Sequence, residues 1–197
     1  MLQTAYGSLT IGLNMQPGQS LLIQGGTSSV GMAAAVLAKD HGLTVLATTR
    51  HPARAATLTA IGVDHALLDD GAIADKVRAI LPAGVDAALE LVGTPTLPDT
   101  LRATAIHGVV CFTGMLSNQW TVRDFYPIAY LPRGVRLTAY SGEATDLPAP
   151  VLQNFLDAVA ADRLTVPLHR TYTLDEIVTA HADMEANNAT GKLVVLL

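Results

Sequence analysis

The stretch "SLLIQGGTSSVGMAAAVLAKDHG", residues 20–42, opens with an apolar run, breaks at Gly25 and Gly26, and leaves through a segment rich in alanine and leucine. In the last part Val30, Ala33, Ala34, Leu37 and Ala38 recur at the spacing of one helical face. A strand, a glycine turn and a helix are therefore expected in that order.

The same rhythm repeats downstream. "TVLATT" (44–49) reads as a strand, and "HPARAATLTAIG" (51–62) as a helix with Pro52 at its first position and Gly62 as its C-terminal cap. A strand "HALLD" (65–69), a helix over 72–81, a strand "VDAALELV" (85–92), a helix near 95–104 and a strand "GVVCFTG" (108–114) follow. Strands joined by helical crossovers predict an α/β fold, a Rossmann-type doubly wound parallel sheet with helices on both faces. Past Gly114 the pattern loosens. "MLSNQWTVRDFYPIAYLP" (115–132) reads as a long connection with one short helix, and "GVRLTAYS" (134–141) as a strand. A helix near 149–162, an extended "LHRTYTL" (168–174), a helix near 174–187 and a strand "KLVVLL" (192–197) complete the chain. Thr173 and Glu176 have the spacing of a capping box.

Half of the 197 residues are apolar, enough for a sizeable core in one domain. A net charge of -5 and a pI near 5.6 argue against nucleic acid or an anionic membrane as the main partner, and favour small molecules or other proteins. The single cysteine, Cys111, lies in an apolar run and reads as a core thiol, which favours a reducing compartment. No apolar stretch approaches the ~20 residues of a membrane-spanning helix, and a cytoplasmic location is expected.

In a sheet of this kind ligands sit beyond the carboxyl ends of the strands, so the turn after the first strand is the place to look. A dinucleotide fingerprint needs one glycine there for the tight turn, a second so that backbone can approach the pyrophosphate and a third for close helix packing: Gly26 and Gly31 take the first and third places, and Ser28 stands in the second. The alternative is a purely structural turn. At the end of the second strand "ATTRHPAR" offers Thr48, Thr49, Arg50 and Arg54 but no acid to hold a ribose 2′-hydroxyl. Arginines suit a 2′-phosphate, so NADP(H) is favoured over NAD(H); the competing reading has both arginines merely solvating a helix start.

These segments together, "TAYGSL", "GGTSSVGMAAAVLAK", "ATTRHPAR", "ELVGT", "CFTG" and "AHADMEANNATGKLVV", resemble the cofactor-binding half of the medium-chain dehydrogenase/reductases, most of all the zinc-independent quinone oxidoreductase-like branch. The resemblance implies an NADP(H)-binding domain over 1–197, with an N-terminal helix 1–15, a C-terminal return strand 192–197, and the preceding catalytic domain of the family absent. It puts Thr4 near the nicotinamide, Ser28, Ser29, Val30 and Gly31 against the pyrophosphate, and Thr49, Arg50 and Arg54 on the 2′-phosphate. Leu91, Val92 and Gly93, with Thr113, Gly114 and Met115, would line the nicotinamide side. It also implies hydride transfer to a carbonyl, enone or quinone, no metal site in this chain, and a homodimer joined through strand 135–141.

No catalytic residue stands out. His181 falls with Ile177 and Met184 on an apolar face and reads as a core histidine. Trp120, Phe125 and Tyr126 are expected either to wall a substrate pocket or to pack under the long loop. Two rival functions remain: a non-catalytic NADPH-binding sensor or assembly module, and a serine hydrolase using Ser28. The second lacks the last glycine of G-x-S-x-G, where Val30 stands. A short-chain reductase is disfavoured because no Tyr-x-x-x-Lys pair occurs.

Overall fold

A computed structural model describes residues 1–186, 189 and 191–197. Its centre is a six-stranded parallel sheet in the order β3-β2-β1-β4-β5-β6. The strands are β1 (Ser20–Gln24), β2 (Thr44–Thr49), β3 (His65–Leu68), β4 (Val85–Glu90), β5 (Thr104–Phe112) and β6 (Arg136–Ala139). The crossovers are α2 (Ser29–Asp40), α3 (Ala55–Ala60, after a 3-10 turn Pro52–Arg54), α4 (Ile73–Ile80) and α5 (Leu97–Ala103). The strand order reverses between β1 and β4, which is the Rossmann arrangement expected from the sequence.

Both faces of the sheet are covered, and the strand residues divide between them by alternation. Leu21, Ile23, Val45, Ala47, Leu89 and Cys111 pack into one core with α2 and the N-terminal helix. Leu22, Leu46, Ala88 and Val110 pack into the other with Ile73, Val77, Leu97 and Leu101 of α4 and α5. Cys111 is fully buried, as expected. The buried surface of α2 is wider than its predicted stripe: Met32, Ala35 and Val36 are buried besides Ala33, Ala34 and Ala38. A helix that lies on the sheet and is overlain by the N-terminal helix meets protein on more than one side, and alanines let both neighbours approach.

Helix ends follow local chemistry. Beyond α2, the N–H of Gly42 donates to Lys39 O and that of Leu43 to Ala38 O, with Gly42 at φ 81°. Gly62 at φ 88° closes α3 in the same way, the cap read from the sequence. The N-terminus of α4 is held from outside: Asp99 of α5 accepts from the N–H groups of Ile73 (2.6 Å) and Ala74 (3.2 Å).

The predicted helix 1–15 is α1 (Leu2–Gly7) running on into a π-helical turn, Ser8–Gly12. Tyr140, just beyond β6, reaches α1, accepting from Gln3 Nε2 (2.7 Å) and donating to Asp146 Oδ2 (2.8 Å). A Cβ on Gly7 would collide with the Tyr140 ring, so α1 and Tyr140 share that space only because residue 7 is glycine.

The last third departs from the main sheet. After α6 (Pro127–Tyr130) and α7 (Ala149–Ala160), β7 (Leu168–Thr173) pairs in parallel with β8 (Lys192–Leu196) in a separate two-stranded sheet, with α8 (Ile177–Glu185) between them. The capping box of Thr173 and Glu176 is present. The end of the predicted helix at Asn187 lies outside the described residues. His181 corrects the sequence reading: it is exposed together with Ile177 and Met184, and Ala180 is the buried residue of α8. The apolar face exists, but among the described residues it stays largely exposed. Trp120 (66%), Phe125 (46%) and Tyr126 (62%) are likewise exposed rather than packed under a loop. No described helix is long and apolar enough to cross a membrane.

Burial first, and then the hydrogen bond to the Asp146 carboxylate, push the Tyr140 phenol from 10.0 up to about 12. A raised acid favours folding while it is neutral, so its contribution is complete below pH 10 and is lost as pH rises through about 12. The difference in urea unfolding free energy between the parent and Tyr140→Phe should therefore shrink over that interval; a difference independent of pH would contradict this.

Candidate nucleotide site at the C-terminal edge of the sheet

The turn after β1 is built by close approach. Gly25 has φ 85°, its N–H donates to Thr48 Oγ1 (2.9 Å), and the N–H of Gly26 donates to Thr48 O (2.9 Å). The turn is thus pinned to β2. The sequence reading gave Gly26 the tight-turn role, but the positive φ belongs to Gly25. Gly26 is needed for packing instead, since a Cβ there would lie 2.7 Å from Ala47 Cβ. At Gly31 a Cβ would meet the carbonyl oxygens of Gly25 (2.5 Å) and Gly26 (2.8 Å).

Ser28 is the N-cap of α2, and its Oγ accepts from the N–H of Gly31 at 3.0 Å. The first N–H groups of a helix have no partner within it, so those of exposed Ser29 and half-buried Val30 face outward at the positive end of the helix dipole. The Ser28 hydroxyl is thus engaged by the helix start, and Val30 stands where a nucleophile elbow needs its last glycine.

At the end of β2, Thr49 is buried and its Oγ1 accepts from the N–H of His51 (3.2 Å), while Arg50 is exposed and Arg54 half-buried. The carboxylate at the neighbouring end of β3, Asp69, is engaged by Gln24 Nε2 (2.7 Å) and the N–H of Gly71 (3.1 Å).

On the other side of β1, the segments after β4 and β5 are interlocked. Leu116 N–H donates to Leu91 O (3.1 Å) and Ser117 N–H to Val92 O (2.8 Å). A Cβ on Gly114 would fall 2.5 Å from Leu91 O, and one on Gly93, at φ 124°, would meet Ser117 Oγ at 2.8 Å. Gly25 faces Leu91, Val92 and Leu116 at 3.2–3.4 Å from where its Cβ would be. Thr4 joins this group through Ser8, whose hydroxyl donates to Thr4 O (2.8 Å) and lies 3.0 Å from Thr113 Oγ1. The predicted residues thus come together along one edge. They span the ends of β2, β1, β4 and β5, about 14 Å at the usual spacing of strands.

Two residues of this edge were not singled out from sequence. Ser8 carried no signal, since its partner Thr113 is remote in the chain. Glu90, the last residue of β4, did carry one, a charge set between Leu89 and Leu91 in the apolar part of the strand. It is fully buried, its Oε1 accepting from the N–H groups of Val92 (2.8 Å) and Gly93 (2.9 Å) and from Thr96 Oγ1 (2.9 Å), and its Oε2 from Thr100 Oγ1 (2.6 Å). Burial pushes this carboxyl up, against hydrogen bonds that pull it down. Burial also raises the thiol of Cys111.

A cavity of about 460 Å³ lies away from this edge, among the π turn, the C-terminal half of α2, and α7. It is lined by Leu9, Leu37 and Phe155 among others, and contains none of the predicted site residues. Strand order, glycine turn and loop convergence, rather than that hollow, define the class: a Rossmann-type domain with its ligand edge at the β1/β4 reversal.

Comparison with known proteins extends the assignment. The family model described as zinc-binding dehydrogenase matches residues 61–195. Mycoketide-CoA synthase of Mycobacterium tuberculosis is 31% identical over 202 residues, covering 98% of this chain and 5% of that protein. "Probable quinone oxidoreductase" of Leishmania amazonensis is 29% identical over 106 residues, covering 53% of this chain and 31% of that one. The native structure of a mycobacterial protein complexed with NADPH superposes with a TM-score of 0.84 at 25% identity, over 100% of this chain and 62% of that one. The chain belongs to the zinc-binding dehydrogenase family, within the medium-chain dehydrogenase/reductases. It spans less than two thirds of the length of each of these relatives.

The family's name implies zinc, and the residues here do not fit it. Among the described residues no three His, Cys, Asp or Glu side chains converge, and the one cysteine is buried in the core.

Loss of the α2 cap is directly measurable. Ser28→Ala should lower the free energy of urea unfolding by about 1 kcal/mol, and Ser28→Gly by a few tenths at most beyond the parent; equal losses would argue that the Oγ bond to Gly31 is not what stabilises the helix start.

Proposed function

We propose that residues 1–197 form the NADP(H)-binding domain of an oxidoreductase of the quinone oxidoreductase or enoyl reductase kind. The observation that carries this reading is the line of strand ends. The outward N–H groups of Ser29 and Val30 lie in its middle, basic Arg50 and Arg54 at one end, and the interlocked loops Leu91–Gly93 and Thr113–Met115 at the other. Support also comes from relatives that include a quinone oxidoreductase and from the structural neighbour complexed with NADPH.

In this assignment the α2 N-terminus with Ser28–Gly31 takes the pyrophosphate, and the Ser28 hydroxyl, already an acceptor for Gly31 N–H, has its proton left to donate. Thr49, Arg50 and Arg54 take the 2′-phosphate. Thr4, the loop after β4 and the loop after β5 hold the nicotinamide riboside and keep water from one side of it. When bound, the nicotinamide supplies a hydride to an activated carbonyl or conjugated double bond. The substrate would be held largely by a further domain outside these residues. A cytoplasmic setting and zinc-independent chemistry accord with this reading.

Calorimetric titration tests it. Charge-assisted hydrogen bonds contribute roughly 1.5 to 3 kcal/mol, so Arg50→Ala should weaken NADPH by about ten- to a hundredfold and leave NADH nearly unchanged. Gly31→Val should weaken both, because its side chain meets the turn carbonyls. Equal parent affinity for NADH and NADPH would remove the 2′-phosphate assignment, and binding of neither would remove the nucleotide reading.

We also propose a homodimer joined through strand 135–141, since β6 is an edge of the main sheet and pairs on one side with β5. Sedimentation should give a dimer, and hydrogen exchange at β6 amides should slow as concentration rises; a monomer at high concentration would exclude it.

A further inference from the structure

Glu90 is bound into both loops at the nicotinamide end. Its carboxylate receives the N–H groups of Val92 and Gly93, together with the hydroxyls of Thr96 and Thr100. Its main-chain carbonyl receives the N–H groups of Thr113 and Gly114, each at 3.0 Å. One residue thereby orients the peptide planes of the loop after β4 and anchors the start of the loop after β5. The fixed planes include that of Gly93, whose φ of 124° other residues rarely adopt.

Stabilising α5 would not require this arrangement. The first turn of that helix already has backbone acceptors, with Leu97 N–H on Gly93 O (3.1 Å) and Thr100 N–H on Thr96 O (3.0 Å). The adenosine end is held by other side-chain bonds, Thr48 to the glycine turn and Gln24, the β1 neighbour of Glu90, to Asp69, and none of these involves the Glu90 carboxylate.

We propose that Glu90 is a positioning residue for the nicotinamide half of the cofactor, holding Leu91–Gly93 and, through them, Thr113–Met115 in the conformation that receives the nicotinamide riboside, with no part in holding the adenosine half. The inference rests on the NADP(H) reading given above. Glutamine at this position keeps a carbonyl oxygen for the N–H groups of Val92 and Gly93 and an amide for the hydroxyl oxygen of Thr100. Leucine is of similar size but leaves those N–H groups buried without an acceptor, so the loop relaxes to satisfy them.

Calorimetry with two probes separates the possibilities: NADPH, and 2′,5′-ADP, which carries the adenosine and its 2′-phosphate but no nicotinamide. The parent chain should bind both. Glu90→Leu should weaken NADPH by about tenfold or more while 2′,5′-ADP changes by less than about twofold, and Glu90→Gln should bind both within about threefold of the parent. The altered fluorescence of bound NADPH should persist in Glu90→Gln and be lost in Glu90→Leu. If Glu90→Leu does not fold, Glu90→Met, which is of similar length and likewise offers the loop no oxygen acceptor, is read by the same criteria. NADPH affinity unchanged in Glu90→Leu, equal weakening of both probes, or failure of Glu90→Gln alongside it would overturn the inference and leave the nucleotide reading intact. A parent chain that binds neither probe overturns the nucleotide reading, and this inference with it.

Discussion

A Cβ at residue 31 would lie 2.5 Å from the carbonyl oxygen of Gly25, and the C-terminal edge of the sheet is arranged around that contact. Because residues 26 and 31 have no side chain, α2 begins directly over the turn, and the turn in turn lies against Ala47 and Thr48 of β2. The outward N–H groups of α2 are consequently held between the ends of β2 and β4. Had the turn needed more room, the helix start would move off the sheet, and the basic residues after β2 would no longer share a line with the loops after β4 and β5.

The second organising feature is the treatment of polar groups in a sheet covered on both faces. Nearly every strand residue in the centre is apolar, and the exceptions fall at strand ends: Gln24 and Glu90 are register partners at the ends of β1 and β4. Each is engaged by neighbours rather than by solvent, Gln24 through Asp69 and Glu90 through four donors. A buried carboxylate is costly unless its lone pairs are taken up, and here the groups that take them up are the backbone of the loop that the site needs. The stability of the charge and the shape of the loop are one problem with one solution.

The part after α7 behaves differently. A two-stranded sheet is marginal by itself, and although Tyr172 is buried and bonded to Asp183 (2.8 Å), Leu168, Leu174, Val178 and Leu196 stay more than half exposed. These apolar residues follow the alternation and helical spacing of buried elements without being buried within this chain. That is why His181 was misread: the amphipathic pattern sets residues on one face, and pattern alone does not say that the face is covered within this chain.

Most of the architecture was legible because it depends on local chemistry and periodicity. Apolar runs of strand length, the caps at Gly62 and at Thr173 with Glu176, and the glycine turn are properties of neighbouring residues, and they placed the strands, the crossovers and the turn after β1 within a few residues. What only the tertiary structure decided were the partnerships between distant residues: Thr113 with Ser8, Asp99 with the start of α4, Tyr140 with Gln3, and the exchange of turn and packing roles between Gly25 and Gly26. Glu90 shows the boundary most clearly. Its place between Leu89 and Leu91 was visible in the sequence, but its meaning lay in four donors and two loops that meet only when β4 is laid between β1 and β5, because hydrogen bonds are satisfied in space and not along the chain.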